Sequence, residues 1–248
     1  MTKLYSEEFK SLLQNPHWAN RFIGYGDPDA KILIVGKECA IDKNNDHFKM
    51  YEHEYLQNFT LWRRNVNGMV STDSVKNWIS NPDWGIFNPL APFKGQLFKV
   101  RTNRFQNKGT SRTWYNYQKL INLIRGMGKL DTPQNTSTID FYKDCFITEL
   151  NDQPRANNKE ISVEESDEIE DNIKHRFDMM KETSSFWAHF QTVILACGPY
   201  ADALRKKPEL KNAIFGNAKV ISEAKGRKIP QLSSFISNGL LWKIAEQF

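Results

Sequence analysis

Apolar positions in this chain follow two rhythms. Residues 32–35 (ILIV), 141–150, 192–197 (TVILAC) and 218–221 each carry apolar residues without a regular polar alternation. The run at 32–35 predicts a strand buried on both faces, and the other three predict further strands. Elsewhere the spacing is helical. Leu4, Phe9, Leu12 and Leu13 predict a short amphipathic helix at the N-terminus. Trp114, Tyr117, Leu120, Ile121 and Ile124 predict a helix over 113–127, ended by Gly126 and Gly128. Residues 161–189 read as one or two helices, opened by the capping-box pattern Ser162-x-x-Glu165, and 239–248 as a closing helix. Residues 42–81 are polar with interspersed aromatics (Tyr51, Tyr55, Phe59, Trp62, Trp78) and read as helical. Pro82, Pro89 and Pro92 then break regularity, so 81–109 reads as a long loop. Loops of this length in compact domains are often functional. Residues 151–158 read as a second polar loop.

Strands alternating with helices predict an α/β fold. The expected architecture is a three-layer α/β/α domain with a mostly parallel four-stranded sheet, spanning residues 1–248 as a single unit. Open sheets of this class bind ligands outside the carboxyl ends of their strands. The first strand stops at Gly36, and the polar loop at residues 36–42 is therefore the first candidate site. If the strands are neighbours, Lys37, Glu38, Glu149, Asn151, Asp152, Ser233 and Ser234 converge at that edge.

Charge changes this picture. The net charge of +5 is modest, but no Asp or Glu occurs from Trp84 to Leu130. Lys99, Arg101, Arg104 and Arg112 lie in that stretch, interleaved with Phe93, Phe98, Phe105, Trp114 and Tyr117. Cations beside stackable rings suit a nucleic-acid backbone and its unstacked bases. The competing reading is a solvated basic face. A second basic region runs from Arg205 to Lys228, and acids collect between Glu160 and Asp171. The 12% aromatic content argues against disorder. Three cysteines, Cys39, Cys145 and Cys197, fit buried thiols in a reducing cytoplasm. No CxxC or paired-His spacing suggests a metal, and no cofactor is implied. No apolar run reaches membrane-spanning length, and the N-terminus lacks a signal-peptide core. The expected molecule is a cytoplasmic monomer.

The turn Gly24-x-Gly26-Asp27-Pro28-x-Ala30-Lys31, the aliphatic strand and the Val35-Gly36 loop together resemble the opening of the uracil-DNA glycosylase superfamily. Residues 144–150 (DCFITEL), 192–198 (TVILACG) and 228–237 (KIPQLSSFIS) follow in the order of that family's later segments. The resemblance implies a uracil-DNA glycosylase-like fold, nucleic acid (DNA above all) as partner, and base excision as the activity. The loops carry different residues from the family's. Gly36-Lys37-Glu38-Cys39-Ala40 stands where the family has an Asp, an Asn or a Glu-Ala-Pro-Gly run. Glu149 stands where an Asn often reads uracil, and Gln231–Ser234 where a His is usual. The implied enzyme has altered base choice.

Within that reading Glu38 and Glu149 are the catalytic candidates. Glu38 would stabilise positive charge on the sugar or position water; its bland alternative is a solvent-facing loop acid. Glu149 would accept hydrogen bonds from a base that presents N–H groups; its alternative is an ion pair with Arg155 or Lys37. Lys37, Asn151, Ser233 and Ser234 are candidate substrate contacts. The resemblance implies an aromatic wall from the region after the first loop, and Phe87 and Phe93 are the candidates, with Tyr51 in reserve. Their alternative is a core role beneath the loop. Lys99, Arg101, Arg104 and Arg112 are the candidate backbone contacts. His47 and His53 follow the first loop and are six residues apart, which is not metal spacing. A P-loop, a dinucleotide fingerprint and a Gly-x-Ser-x-Gly elbow are all lacking. A binding module without catalysis, and a small-ligand enzyme using Glu38 and Glu149 as an acid–base pair, remain open beside the excision enzyme.

Overall fold

A computed structural model describes residues 5–38, 40–41, 55–67, 112–126, 139–156, 161–233 and 236–248. In chain order its elements are α1 (Glu7–Leu12), β1 (Tyr25–Gly26), β2 (Ile32–Gly36), β3 (Ala40–Ile41), α2 (Asn58–Asn67), α3 (Arg112–Ile124), β4 (Cys145–Glu149), β5 (Arg155–Ala156), α4 (Val163–Glu182), α5 (Ser184–Trp187), β6 (Thr192–Leu195), α6 (Asp202–Lys206), α7 (Pro208–Phe215), β7 (Lys219–Ile221), β8 (Glu223–Ala224), β9 (Arg227–Lys228) and α8 (Asn238–Ala245).

The main sheet has the order β1-β4-β2-β6-β7. The four strands β4, β2, β6 and β7 are parallel. β1 adds to the outer edge of β4 in the antiparallel sense, pairing Tyr25 with Ile147 and Gly26 with Phe146. Among the described residues the sheet thus has five strands where four were expected. The fifth is two residues long and contains glycine, so no apolar run announces it. Glycine is required there. A Cβ on Gly24 would meet the Ile147 carbonyl oxygen at 2.4 Å, and one on Gly26 the Cys145 carbonyl oxygen at 2.3 Å. Their φ values of 151° and 98° are also ones that side-chain-bearing residues rarely adopt.

Every residue of β2 and of β4 is buried, as expected of a sheet covered by helices on both sides. On one face Phe146 packs against Phe9 of α1, Trp62 of α2 and Phe186 of α5, with ring centroids 6.2, 6.1 and 5.6 Å apart. On the other, Trp114 of α3 lies 5.1 Å from Tyr25 and 5.2 Å from Phe141, and α8 lies against α3. These elements share one apolar core. Each buried large side chain contributes about 2 kcal/mol relative to exposure.

Boundaries differ modestly from expectation. β4 starts at Cys145 because a 3-10 turn, Phe141–Lys143, occupies the first part of the apolar run. α3 ends at Ile124, and Gly126 follows at φ 75°. The capping pattern at 162 is realised: Glu165 N–H donates to Ser162 Oγ at 3.2 Å. The loop at 151–158 contains β5, which pairs in parallel with β3, so the loops leaving β2 and β4 are hydrogen-bonded to each other. Among the described residues no helix is long and apolar enough to cross a membrane.

Candidate functional site

Strand order places the site. From β2 the chain crosses to β4 on one side, returns past β2 to β6, and moves outward to β7. Connections therefore diverge between β2 and β6, and the crevice outside their carboxyl ends is a topological switch point. The loops after β2, β4 and β6 meet there.

Glu38 is the hub of that meeting. Its side chain is 8% exposed. Lys37 Nζ lies 3.0 Å and Arg155 Nη1 3.3 Å from Oε1. Tyr200 OH donates to Oε2 at 2.6 Å, and Asn151 Nδ2 donates to the same oxygen at 3.4 Å. The Lys37 ammonium also sits 4.6 Å from the centroid of the Tyr200 ring. Burial, the hydrogen bond to Glu38 and its charge all raise the Tyr200 pKa, so the phenol donates in its neutral form. Burial alone would lower the Arg155 pKa, but its bonds to Glu165 and the Glu38 charge outweigh this and hold it raised. Glu38 is therefore not a solvent-facing loop acid. It is a carboxylate held by two cations and two neutral donors from three loops.

Glu149 faces a different environment. It ends β4 in register with Gly36 of β2. A Cβ at position 36 would lie 2.3 Å from Glu149 Oε2 and 2.9 Å from Oε1. The carboxylate thus takes the space that glycine leaves empty, which gives the Val35-Gly36 end of the strand a steric reason. Alternation along β4 sets Glu149 on the face opposite Phe146 and Thr148, toward α3. Its charge adds to burial in raising the pKa of Tyr117 and of Cys197. Cys197, at the end of the β6 segment, is consequently held as a thiol and does not supply a thiolate nucleophile. Lys37 and Arg155, the cations considered as Glu149 partners, both reach Glu38.

The loop at 231–233 is fixed from two sides. Lys37 N–H donates to Gln231 Oε1, and Asn116 Nδ2 of α3 donates to the Leu232 carbonyl oxygen at 2.6 Å. Comparison with protein-family models, with curated proteins and with solved structures finds no match. Function must therefore be read from the geometry of the site.

Of the expected site residues, the structure brings together Lys37, Glu38 and Asn151 by direct contact, with Glu149 beneath them against Gly36. Asn151 is less a free substrate contact than a loop staple. Its N–H donates to the Lys37 carbonyl oxygen at 2.9 Å, and its Oδ1 accepts from Gln153 N–H at 3.1 Å. Asp152 turns away, into an ion pair with Arg21 at 3.2 Å. Ser233 is exposed, and Arg112 is exposed at the start of α3. Phe87, Phe93, Tyr51, Ser234, Lys99, Arg101, Arg104, His47 and His53 lie outside the described residues. Within the acid-free stretch, Arg125 pairs with Asp140 at 2.8 Å and with Asp144, so it is a structural cation. Lys119 lies 4.7 Å from the Tyr115 ring centroid and bonds Asn238.

Sequence reasoning missed Tyr200, and it did not assign Arg155 to Glu38. Tyr200 follows Gly198-Pro199 at the carboxyl end of β6, where an aromatic residue at a strand-end turn is a usable signal. Arg155 had no local signal, because its partner lies 117 residues away. Among the described residues no group of three or more His, Cys, Asp or Glu side chains is placed to hold a metal.

Proposed function

We propose that this chain binds nucleic acid at the carboxyl edge of its sheet, as a uracil-DNA glycosylase-like protein, and excises a modified or mismatched base there. The observation that carries the reading is the Glu38 hub at the β2/β6 switch point. A flipped-base site needs a flat ring, hydrogen-bonding groups for the base edge and a negative charge near the sugar. Tyr200 supplies a ring, Gln231 an amide and Glu38 the charge, while Asn151 staples the loop that carries Glu38's neighbours. Glu38 is engaged by Lys37 and Arg155 before substrate arrives. A substrate phosphate would compete for these two cations, and the carboxylate would then face the sugar less neutralised. Phosphate capture and charge stabilisation are coupled in this way. Glu149, beside Gly36 at the neighbouring strand end, adds a second negative charge, felt by Tyr117 and Cys197.

The four partners of Glu38 also favour a second reading, in which the hub is purely structural and the protein binds nucleic acid without cutting it. One experiment separates the two. The purified chain is incubated with oligonucleotides carrying single deaminated or damaged bases, and abasic sites are revealed by alkaline cleavage. The excision reading expects an abasic product with at least one lesion, loss of that product in Glu38→Gln, and altered base preference in Glu149→Gln. Binding with no abasic product from any lesion supports the binding module. Absence of binding at low salt overturns both.

A further inference from the structure

The strongest feature outside the hub is a basic groove. β8 and β9 form a hairpin, with Glu223 opposite Lys228 and Ala224 opposite Arg227. Between this hairpin and the start of α8 lies a cavity of about 460 Å³, lined by Lys225, Arg227, Lys228, Pro230, Ser237 and Leu240. Three cations therefore line one small recess. Lys228 is taken by Asp202, 2.6 Å away. Among the described residues Lys225 and Arg227 form no ion pair, and both are exposed. Glu246 feels the Lys225 charge but pairs with Lys243.

Two details fix where these cations stand. Lys225 and Gly226, at φ 54° and 67°, are the two central residues of the hairpin turn, which needs positive φ at both and so sets Lys225 at the tip of the hairpin. Its ammonium also points at α8: a Cβ on Gly239 would lie 2.9 Å from Lys225 Nζ. The ammonium thus stands at the amino end of α8, where an anion is favoured over a cation.

The segment that lines the groove is also tied to the hub by hydrogen bonds. The Ile229 carbonyl oxygen accepts from Gly198 N–H at 2.9 Å, and Gln231, two residues on, accepts from Lys37 N–H. Asp202, which pairs with Lys228, is two residues from Tyr200. Hairpin and hub therefore share one rim of the sheet.

We propose that this groove holds backbone phosphates of the nucleic-acid strand whose base occupies the Glu38 site, with Lys225 and Arg227 as the contacting cations. The proposal rests on the nucleic-acid reading above and deepens it. A free phosphate or mononucleotide would use the same chemistry. The strand is favoured because the groove is open and adjoins the hub.

The test is fluorescence anisotropy with a labelled single-stranded DNA oligonucleotide over a series of chloride concentrations. It compares the wild type with Lys225→Ala/Arg227→Ala and with Lys31→Ala/Lys219→Ala. The second pair removes equal charge from exposed lysines at the amino edge of the sheet. The hairpin variant should bind more weakly, with the slope of log affinity against log salt flattened by about 1.4, roughly 0.7 for each lost single-strand contact. The amino-edge variant should keep the wild-type slope, and both should melt like the wild type. If wild-type DNA binding is intact and the hairpin variant matches it, the groove proposal is overturned while the nucleic-acid reading stands. Equal weakening by both variants also overturns it, because net charge alone would then act. Full displacement of DNA by inorganic phosphate at matched ionic strength makes this a free-phosphate site and overturns the strand assignment. If the wild type binds no oligonucleotide at low salt, the underlying reading fails first.

Discussion

At residue scale, Gly36 and Glu149 form one unit. The glycine has no positive φ to explain it; its reason is the carboxylate 2.3 Å from where a Cβ would stand. Gly36→Ala should therefore destabilise the protein by about 2 kcal/mol, the usual cost of overpacking a tight site. Most of that cost should vanish in a Glu149→Ala background, because the side chain it collides with is gone. Urea unfolding of the four proteins in this cycle reads the coupling directly. An unchanged cost of Gly36→Ala in both backgrounds would show that backbone strain, not the carboxylate, reserves position 36 for glycine. Glu38 makes a complementary point. A loop acid that looks solvated in the sequence is 8% exposed once Lys37, Arg155, Tyr200 and Asn151 close around it.

At element scale, α3 is fastened to the sheet by polar contacts at its end as well as by its apolar face. Gln118 Oε1 accepts from the N–H groups of Asp140 and Phe141 at 2.8 and 2.9 Å, and Arg125 bonds Asp140 and Asp144. Together these hold the 3-10 turn that feeds β4, and so set the register that brings Glu149 to Gly36. Burial pushes the Asp140 pKa up, but the hydrogen bonds from Arg125 and Gln118 and the nearby positive charge outweigh it, leaving the carboxyl below its ordinary range. A carboxylate depressed by folding contributes stability that is fully present above its unfolded pKa of about 4 and is lost as pH falls through the folded value. Asp140→Asn should therefore flatten the acid limb of stability against pH. Denaturation midpoints measured from near neutrality down to about pH 3 test this. Wild type and variant falling in parallel would assign the acid loss to other carboxylates.

At the scale of the whole molecule, one arginine ties the layers. Arg176 of α4 is fully buried, 4.5 Å from the Trp18 ring centroid, with Nη2 donating to Thr148 Oγ1 of β4 at 2.8 Å. Its Nη1 lies 3.8 Å from Asp152 Oδ2. Burial lowers its pKa to about 10, partly offset by Asp152, which leaves it charged at neutral pH. Asp152 also pairs with Arg21, so this network joins the N-terminal segment, α4 and the loop after β4. Removing one member of a buried charge pair is costly, because the other is stranded. Arg176→Met should cost about 3 kcal/mol in chemical denaturation. A loss below about 1 kcal/mol would mean that Arg21 alone satisfies Asp152.

The mostly parallel α/β character was legible in residue order alone. Unalternating runs at 32–35 and 192–195 are stable as strands only with both faces covered, and helical spacing between them supplies the cover. The N-cap at Ser162 and the helix stop at Gly126 were equally local, because caps depend on a few neighbouring residues. The two-residue edge strand was not legible, since its existence depends on β4 lying beside it. The hub was only half legible. Lys37, Glu38, Glu149 and Asn151 stand at strand ends and were found by position. Their pairings were settled by strand order, which sets β2 between β4 and β6 and so delivers Asn151, Arg155 and Tyr200 to Glu38 across 113, 117 and 162 residues. Charge attraction chooses partners only among groups that the backbone has already brought within a few ångströms. The sequence could therefore name the carboxylates, but only tertiary structure could say which of them is held by cations and which lies against a glycine.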